Sequence, residues 1–493
     1  MESDQSSSAN SFDSGASSEV SVANTDQEYS PKPFTRNQKD KIGDANENKT
    51  QEQTEELQSL QKTKTSLFSP RLYENRKRVL LRFLLTNGVL CTFIMTIFVL
   101  FWGTTYNATG YYHKVRILAV IQDDIVDSSL PVVPMTSYLQ SSINEVPGQW
   151  HVYNTSTFQE KYNVTTVEEI NEKVQSLIYD EKFFVSLNVQ PNVTRTLFDS
   201  LTNNKSTSLF NSSSCFQSTY ESGRDPINII GFIVPLITEL ETYFQQYYSS
   251  QYLPQFLNNI TIETPLNYTK LSYASQMKFD YLDYRPFYDR ILYGPAQVGP
   301  IYTMTLTVFL FMIYGSVHAR MAQILKPNNA IFFRWFLNCL TCFLVSLFIC
   351  TVSAIFQVDF TRAFGKAGFI IYWMTTWLYM FAVAGIHENV ISIIFSYRRY
   401  FTGMWILGFT MLNIAPTIFS MALDDTFYRY GYAMPMHNAI DIYRVIFMDL
   451  SRYKLGRNYG ILVAYVVINA ILNPFILRFV RKVVERREAA LKN

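Results

Sequence analysis

The sequence predicts an α-helical multi-pass membrane protein of about six spans, arranged one plus five, with a large α+β extracytoplasmic domain between spans 1 and 2. Three observations carry this reading. Six apolar runs are long enough to cross a bilayer, the cations beside them alternate consistently, and acceptors for N-linked glycans crowd into one segment. The mean hydropathy of +0.02 hides the spans by averaging them with a polar tail and a polar domain. A net charge of +2, with basic residues in short clusters, gives no ground for a nucleic-acid partner.

Residues 1–70 are rich in Ser, Thr, Asn, Gln and Glu and poor in large apolar residues, which predicts a disordered cytosolic tail. The first span follows at Val79–Trp102, behind Arg71, Arg76, Lys77 and Arg78. That run is too deep and too long for a cleaved signal peptide, so it reads as an uncleaved anchor. Its flanking cations place the amino terminus in the cytosol and residues 103–295 on the opposite side.

Five further runs lie at about 297–317, 331–356, 367–387, 403–423 and 459–479, within a membrane domain over 296–480. Cytosolic connections carry His318, Arg320, Lys326 and Arg334, then Arg398 and Arg399, and the tail over 481–493 adds further cations. The connection over 357–366 is nearly balanced, with Asp359 against Arg362 and Lys366, as an outer loop should be. N-x-S/T acceptors occur at Asn107, Asn154, Asn163, Asn192, Asn204, Asn211, Asn259 and Asn267, all between the first two spans, and elsewhere only at Asn48. This clustering predicts a glycosylated segment.

Within the inserted segment, residues 115–124 (VRILAVIQDD) read as a buried strand and Trp150–Tyr153 as another. Apolar spacing over 166–179 predicts a helix, the FFVSLNV that follows a strand, and Pro226 to about Tyr248 a second helix. Cys215 is the segment's lone cysteine, so no intramolecular disulfide is expected there. Cys339 and Cys342 share a helix face, and a metal or redox role is not expected of them.

Several stretches carry a family resemblance: YRYGYAMPMHNAIDIYRVIFMDLSRYKLGRNYGILVAY over Tyr428–Tyr465, YHKVRILAVIQDD after the first span, ESGRDP at Glu221–Pro226 and GPAQVGPIY at Gly294–Tyr302. On these residues the chain resembles the fungal nitrosoguanidine-resistance membrane proteins, a group related to the bacterial phage-infection proteins and to the membrane domains of ABC-2 type exporters. The resemblance implies export of, or resistance to, a toxic small molecule at the plasma membrane. Residence in the endoplasmic reticulum is the alternative. No G-x-x-x-x-G-K-[ST] phosphate loop occurs, so transport would draw on a gradient or on a separate ATPase. A non-transporting organiser of lipid distribution or of a signalling partner is the main rival reading, and a receptor or adhesion protein working through the glycosylated outer domain is a second. Neither a cofactor nor enzymatic chemistry is expected, and homo-oligomerisation is left open.

Polar residues inside spans are the candidate pathway groups. His387 and Glu388 close the fourth run and read as a proton-coupled or gating pair near its cytosolic end, where water would reach them. Asn413 and Pro416 interrupt the fifth span, and Asn469 with Pro474 the sixth. Residues 436–453 predict an interfacial or partly re-entrant helix bearing Asp441 and Arg444, either a lid at the outer mouth or a helix packed on the spans. Trp102, Tyr106, Tyr302 and Tyr397 are expected in an interfacial aromatic belt.

Overall fold

The computed structural model describes residues 68–70, 73–123, 132–202, 209–260, 268–418 and 422–492. The expected disordered tail over 1–70, Asn204 and Asn267 fall outside these residues, apart from a turn at 68–70. The chain divides into two compact units, Met1–Leu84 and Leu85–Asn493. The first contributes that turn and the opening of helix α1 (Tyr73–Trp102), and the following description concerns the second.

After α1 the chain builds a five-stranded sheet in the order β2-β1-β3-β4-β5. Strand β1 (Arg116–Ile121) lies at its heart, parallel to both β2 (Gln149–Asn154) and β3 (Val185–Val189). Ile117 through Val120 are wholly buried, as a central parallel strand covered on both faces requires. Its side chains alternate between two cores. Ile117 and Ala119 pack with β3 and the helices of one face, while Leu118 and Val120 meet Phe158 and helix α2 (Val167–Tyr179) on the other. Helix α2 begins with a capping box of Thr166 and Glu169 and buries Ile170, Val174, Leu177 and Ile178, one stripe at helical spacing.

Two strands are absent from the sequence reading: β4 (Phe216–Tyr220), antiparallel to β3, and β5 (Asp280–Asp283), parallel to β4. Between them runs a long helical segment, Pro226–Asn259, whose middle is helix α3 (Val234–Tyr247). By length and apolarity seven helices among the described residues could cross a membrane, and this segment is the second of them. The sheet excludes it as a span. Residues before it (Gln217–Tyr220) and after it (Asp280–Asp283) are paired in register in one sheet, so the segment leaves and returns on the same face. Its apolar stripe, including Ile233, Ile237, Leu240 and Phe244, is spent in the domain core. Parallel β4 and β5 need a crossover connection, and this helix supplies it.

The remaining six make the multi-pass membrane protein: α1, then α4 (Gly299–Ile313), α5 (Pro327–Ile355), α6 (Gly368–Tyr397), α7 (Thr402–Ile418), a shorter helix α8 (Pro435–Met448) that is not a span, and α9 (Leu455–Lys492). Large apolar side chains such as Ile313, Phe348, Ile471 and Phe475 stay exposed on the bundle, as surface meant for lipid does. Trp102, Tyr106, Tyr302 and Tyr397 are likewise exposed. Helix α6 forms the centre of the bundle. Gly385 lets α9 approach so closely that a Cβ there would lie 2.8 Å from the Cβ of Asn469.

Candidate functional site

With six spans, the domain, the connection between α5 and α6, and the segment between α7 and α9 all fall on one face of the membrane. Direct contacts join them. Lys114 donates to the Asp424 carbonyl (2.9 Å), Arg285 bonds the Asp449 carboxylate (3.2 Å) and carbonyl (3.0 Å), Tyr179 donates to the Leu450 carbonyl (3.3 Å), and Lys454 pairs with Glu181. These links close a cavity of about 1070 Å³ between the domain and the bundle.

Helix α8 forms one wall of the chamber. Pro435 presets its first turn, Asn413 accepts the Met436 N–H (3.3 Å), and Asp449 ends it in the left-handed conformation with φ 52°. Every residue of α8 except His437 and Asp441 is buried, and Tyr443 is tied to Thr376 of α6 at 3.1 Å. Helix α8 is therefore packed into the bundle rather than laid flat in the interface. The helix stops at Met448, short of the 453 that its sequence pattern predicts. His437 and Asp441 approach at 3.6 Å, and Arg444 donates to the Arg224 carbonyl at 2.9 Å. Burial opposes ionisation of Asp441, but His437, Lys454, Arg444 and Arg457 outweigh it and hold the carboxyl below its ordinary range.

The domain contributes Arg116, Glu181, Lys182 and Arg224 to the chamber wall. Just behind it lie two carboxyls with an unusual setting. Glu221 and Asp424 are each 1% exposed, and none of their four carboxyl oxygens has a hydrogen-bond partner among the described residues. Burial pushes both up to about 7, and Asp225 adds to the effect at Asp424.

Residues 87–471 match the family described as protein of unknown function (DUF3533). The chain belongs to the DUF3533 family. Over 437 residues it is 45% identical to the uncharacterized endoplasmic reticulum membrane protein YJR015W of Saccharomyces cerevisiae, covering 87% of this chain and 86% of that protein. No solved structure matches the chain. The interval shared with the DUF3533 family runs from within α1 to within α9, so it takes in the sheet, the chamber and the bundle core.

The membrane residues singled out in the sequence bond to several different helices in this DUF3533 member. Helix α6 runs ten residues beyond His387, to Tyr397, so His387 and Glu388 lie inside it, 1% and 6% exposed, rather than at a wetted end. Hydropathy misplaced the end because it scores Glu388 as a breaker. The glutamate is paired with Arg334 and bonded by Asn338 at 3.0 Å, so the helix continues through it. The two side chains also take different partners. Consecutive helical residues point about 100° apart, and His387 turns instead to α7, where its Nδ1 accepts from Trp405 at 3.1 Å. Arg334, expected in a cytosolic connection, belongs to the second turn of α5 and also reaches Ser392 at 3.2 Å.

Asn413 faces α8, as described, and donates to the Phe409 carbonyl at 2.9 Å. Pro416 is buried in the last turn of α7. Asn469 joins a ladder with Asn389 (3.2 Å), and Asn473 donates to Asn389 at 3.0 Å, crossing between α6 and α9. Beside Glu388, Asn338 and His318 a small cavity of about 20 Å³ has room for about one water. The six described glycan acceptors, Asn107, Asn154, Asn163, Asn192, Asn211 and Asn259, are all exposed.

Proposed function

We propose that this protein is a permease-like carrier of the endoplasmic reticulum membrane, with the chamber between its domain and its bundle as the vestibule that receives a polar solute. The observation that carries the reading is the chamber itself. Its volume of about 1070 Å³ suits a small molecule, and its wall includes a helix clasped by the spans, so occupancy can be felt by the bundle. The endoplasmic reticulum is supported by the name of the yeast relative. Resistance to a toxic molecule such as nitrosoguanidine, implied by the resemblance of the Tyr428–Tyr465 stretch, is the expected outcome of such transport, with no enzymatic step. A lumenal domain carrying glycans, with the amino terminus in the cytosol, is the orientation that the flanking cations support.

The test is release of labelled nitrosoguanidine from liposomes holding the purified protein, with and without a proton gradient, against empty liposomes. The carrier reading predicts faster release with protein. Equal release, with insertion verified, would leave the second reading, a membrane organiser. That alternative is favoured by one observation: the polar groups within the spans are bonded to one another, as Arg334–Glu388 and the asparagine ladder are. Under it, deleting residues 1–70 abolishes resistance, whereas the carrier tolerates the deletion.

A further inference from the structure

The chamber is lined by seven Lys or Arg side chains against four Asp or Glu among the described residues, an excess of positive charge in one place. At its wall stands Arg444, 8% exposed. One arm of its guanidinium, Nη1, donates to the Arg224 carbonyl, while Nη2 is buried with no hydrogen-bond partner among the described residues. A buried guanidinium N–H left unbonded costs free energy, so its persistence points to a missing acceptor.

The carboxylates facing it are committed elsewhere. Asp225 accepts from the Asn228 backbone at 3.1 Å and from its side chain at 2.9 and 2.8 Å, and Asp441 faces His437. Neither forms an ion pair with Arg444 within 4.0 Å among the described residues, although both feel its charge. Arg429, exposed on the same chamber, adds a second cation.

We infer that the chamber binds a phosphomonoester, with the Arg444 guanidinium turning to bring its unbonded Nη2 to a phosphate oxygen. A phosphomonoester brings about two negative charges at neutral pH and several acceptor oxygens, which match the excess of cations and the planar guanidinium better than a single carboxylate does. The cavity is much larger than a phosphate ion, so the group arrives on a larger body, with the Tyr432 and Tyr453 rings beside it. Two sources share this chemistry: a soluble phosphorylated metabolite, and the headgroup of a phosphatidic-acid type lipid entering from the adjacent membrane.

The inference does not depend on transport, and an equilibrium measurement tests it apart from any flux. Purified full-length protein is titrated with glycerol 3-phosphate, with glycerol as the uncharged control, and is also placed in phosphatidylcholine nanodiscs with and without phosphatidic acid, with thermal stability as the readout. Saturable stabilisation by glycerol 3-phosphate, or by phosphatidic acid alone, is the expected result and names the source. Arg444→Gln should weaken it at least tenfold, and Arg429→Gln, at an exposed position where folding is not at stake, about threefold with a weaker salt dependence. No stabilisation by either source overturns the inference. So does full affinity in Arg429→Gln together with Arg444→Gln, and if Arg444→Gln does not fold, full affinity in Arg429→Gln alone decides against it.

Discussion

Raising the pH from 5 to 8 should loosen the junction between the domain and the bundle, and Glu221 should account for much of the loss. Its carboxyl is 1% exposed, has no hydrogen-bond partner among the described residues, and is pushed from 4.5 to about 7 by burial, with Glu181 and Asp283 adding to the shift and Arg224 and Arg285 opposing it. The folded protein therefore holds this proton more tightly than the unfolded chain does. The stability contributed is complete below pH 4.5 and disappears as the pH rises through 7. A shift of this size corresponds to roughly 3 kcal/mol. Glutamine mimics the protonated acid and cannot ionise, so Glu221→Gln should match the native protein at pH 5 and exceed it at pH 8. The assay is thermal unfolding of the purified protein in detergent at several pH values. The expected difference at pH 8 is several degrees, at about 2–4 °C per kcal/mol for a chain of moderate size. Parallel pH curves for the two proteins would refute the reasoning.

Asp424, pushed up to about 7 by burial with Asp225 nearby, should behave in the same way in Asp424→Asn, and the two substitutions should flatten the pH curve further together, as seen in the same unfolding scans. Glu388→Gln or Arg334→Met alone leaves a buried charge unpaired and should lower the yield of folded protein sharply, by about 3–5 kcal/mol, while the double substitution recovers much of it; monodisperse fraction in size-exclusion chromatography reads this. Gly385→Ala forces a methyl group against Asn469 and should cost about 1–3 kcal/mol, measured as a lower melting temperature. Asn469→Ala removes one rung of the ladder between α6 and α9 and should cost only about 0.6 kcal/mol on the same readout.

The strands β1 and β3 were legible because they are short apolar runs buried on both faces, and α2 because Thr166, Glu169 and its apolar stripe announce a capped amphipathic helix. Strands β4 and β5 were not. FQSTY alternates polar residues that are buried only because β3 and β5 flank it, and DYLD is a four-residue edge strand bearing an acid at each end. Spans were visible from hydropathy, but partners across the bundle were not. Arg334 and Glu388 lie more than fifty residues apart, and only the packing of α5 on α6 turns two costly charges into a pair. Arg444 was singled out as a residue of a lid or a packed helix. Its unbonded Nη2 and the chamber around it depend on the domain contributing Arg224 and Asp225 from the far side, which no local pattern could show.

The central claim, that solute passes through the chamber, can be tested by obstructing the chamber's rim. Tyr453 lines the chamber and is 86% exposed, and Tyr268, equally exposed, does not line it. Tyr453→Cys and Tyr268→Cys proteins are reconstituted, and release of labelled nitrosoguanidine is measured before and after treatment with a bulky maleimide, with native protein treated alike as the control. The account predicts that modification at position 453 stops release and modification at position 268 leaves it unchanged. Undiminished release after complete modification at 453 would contradict it.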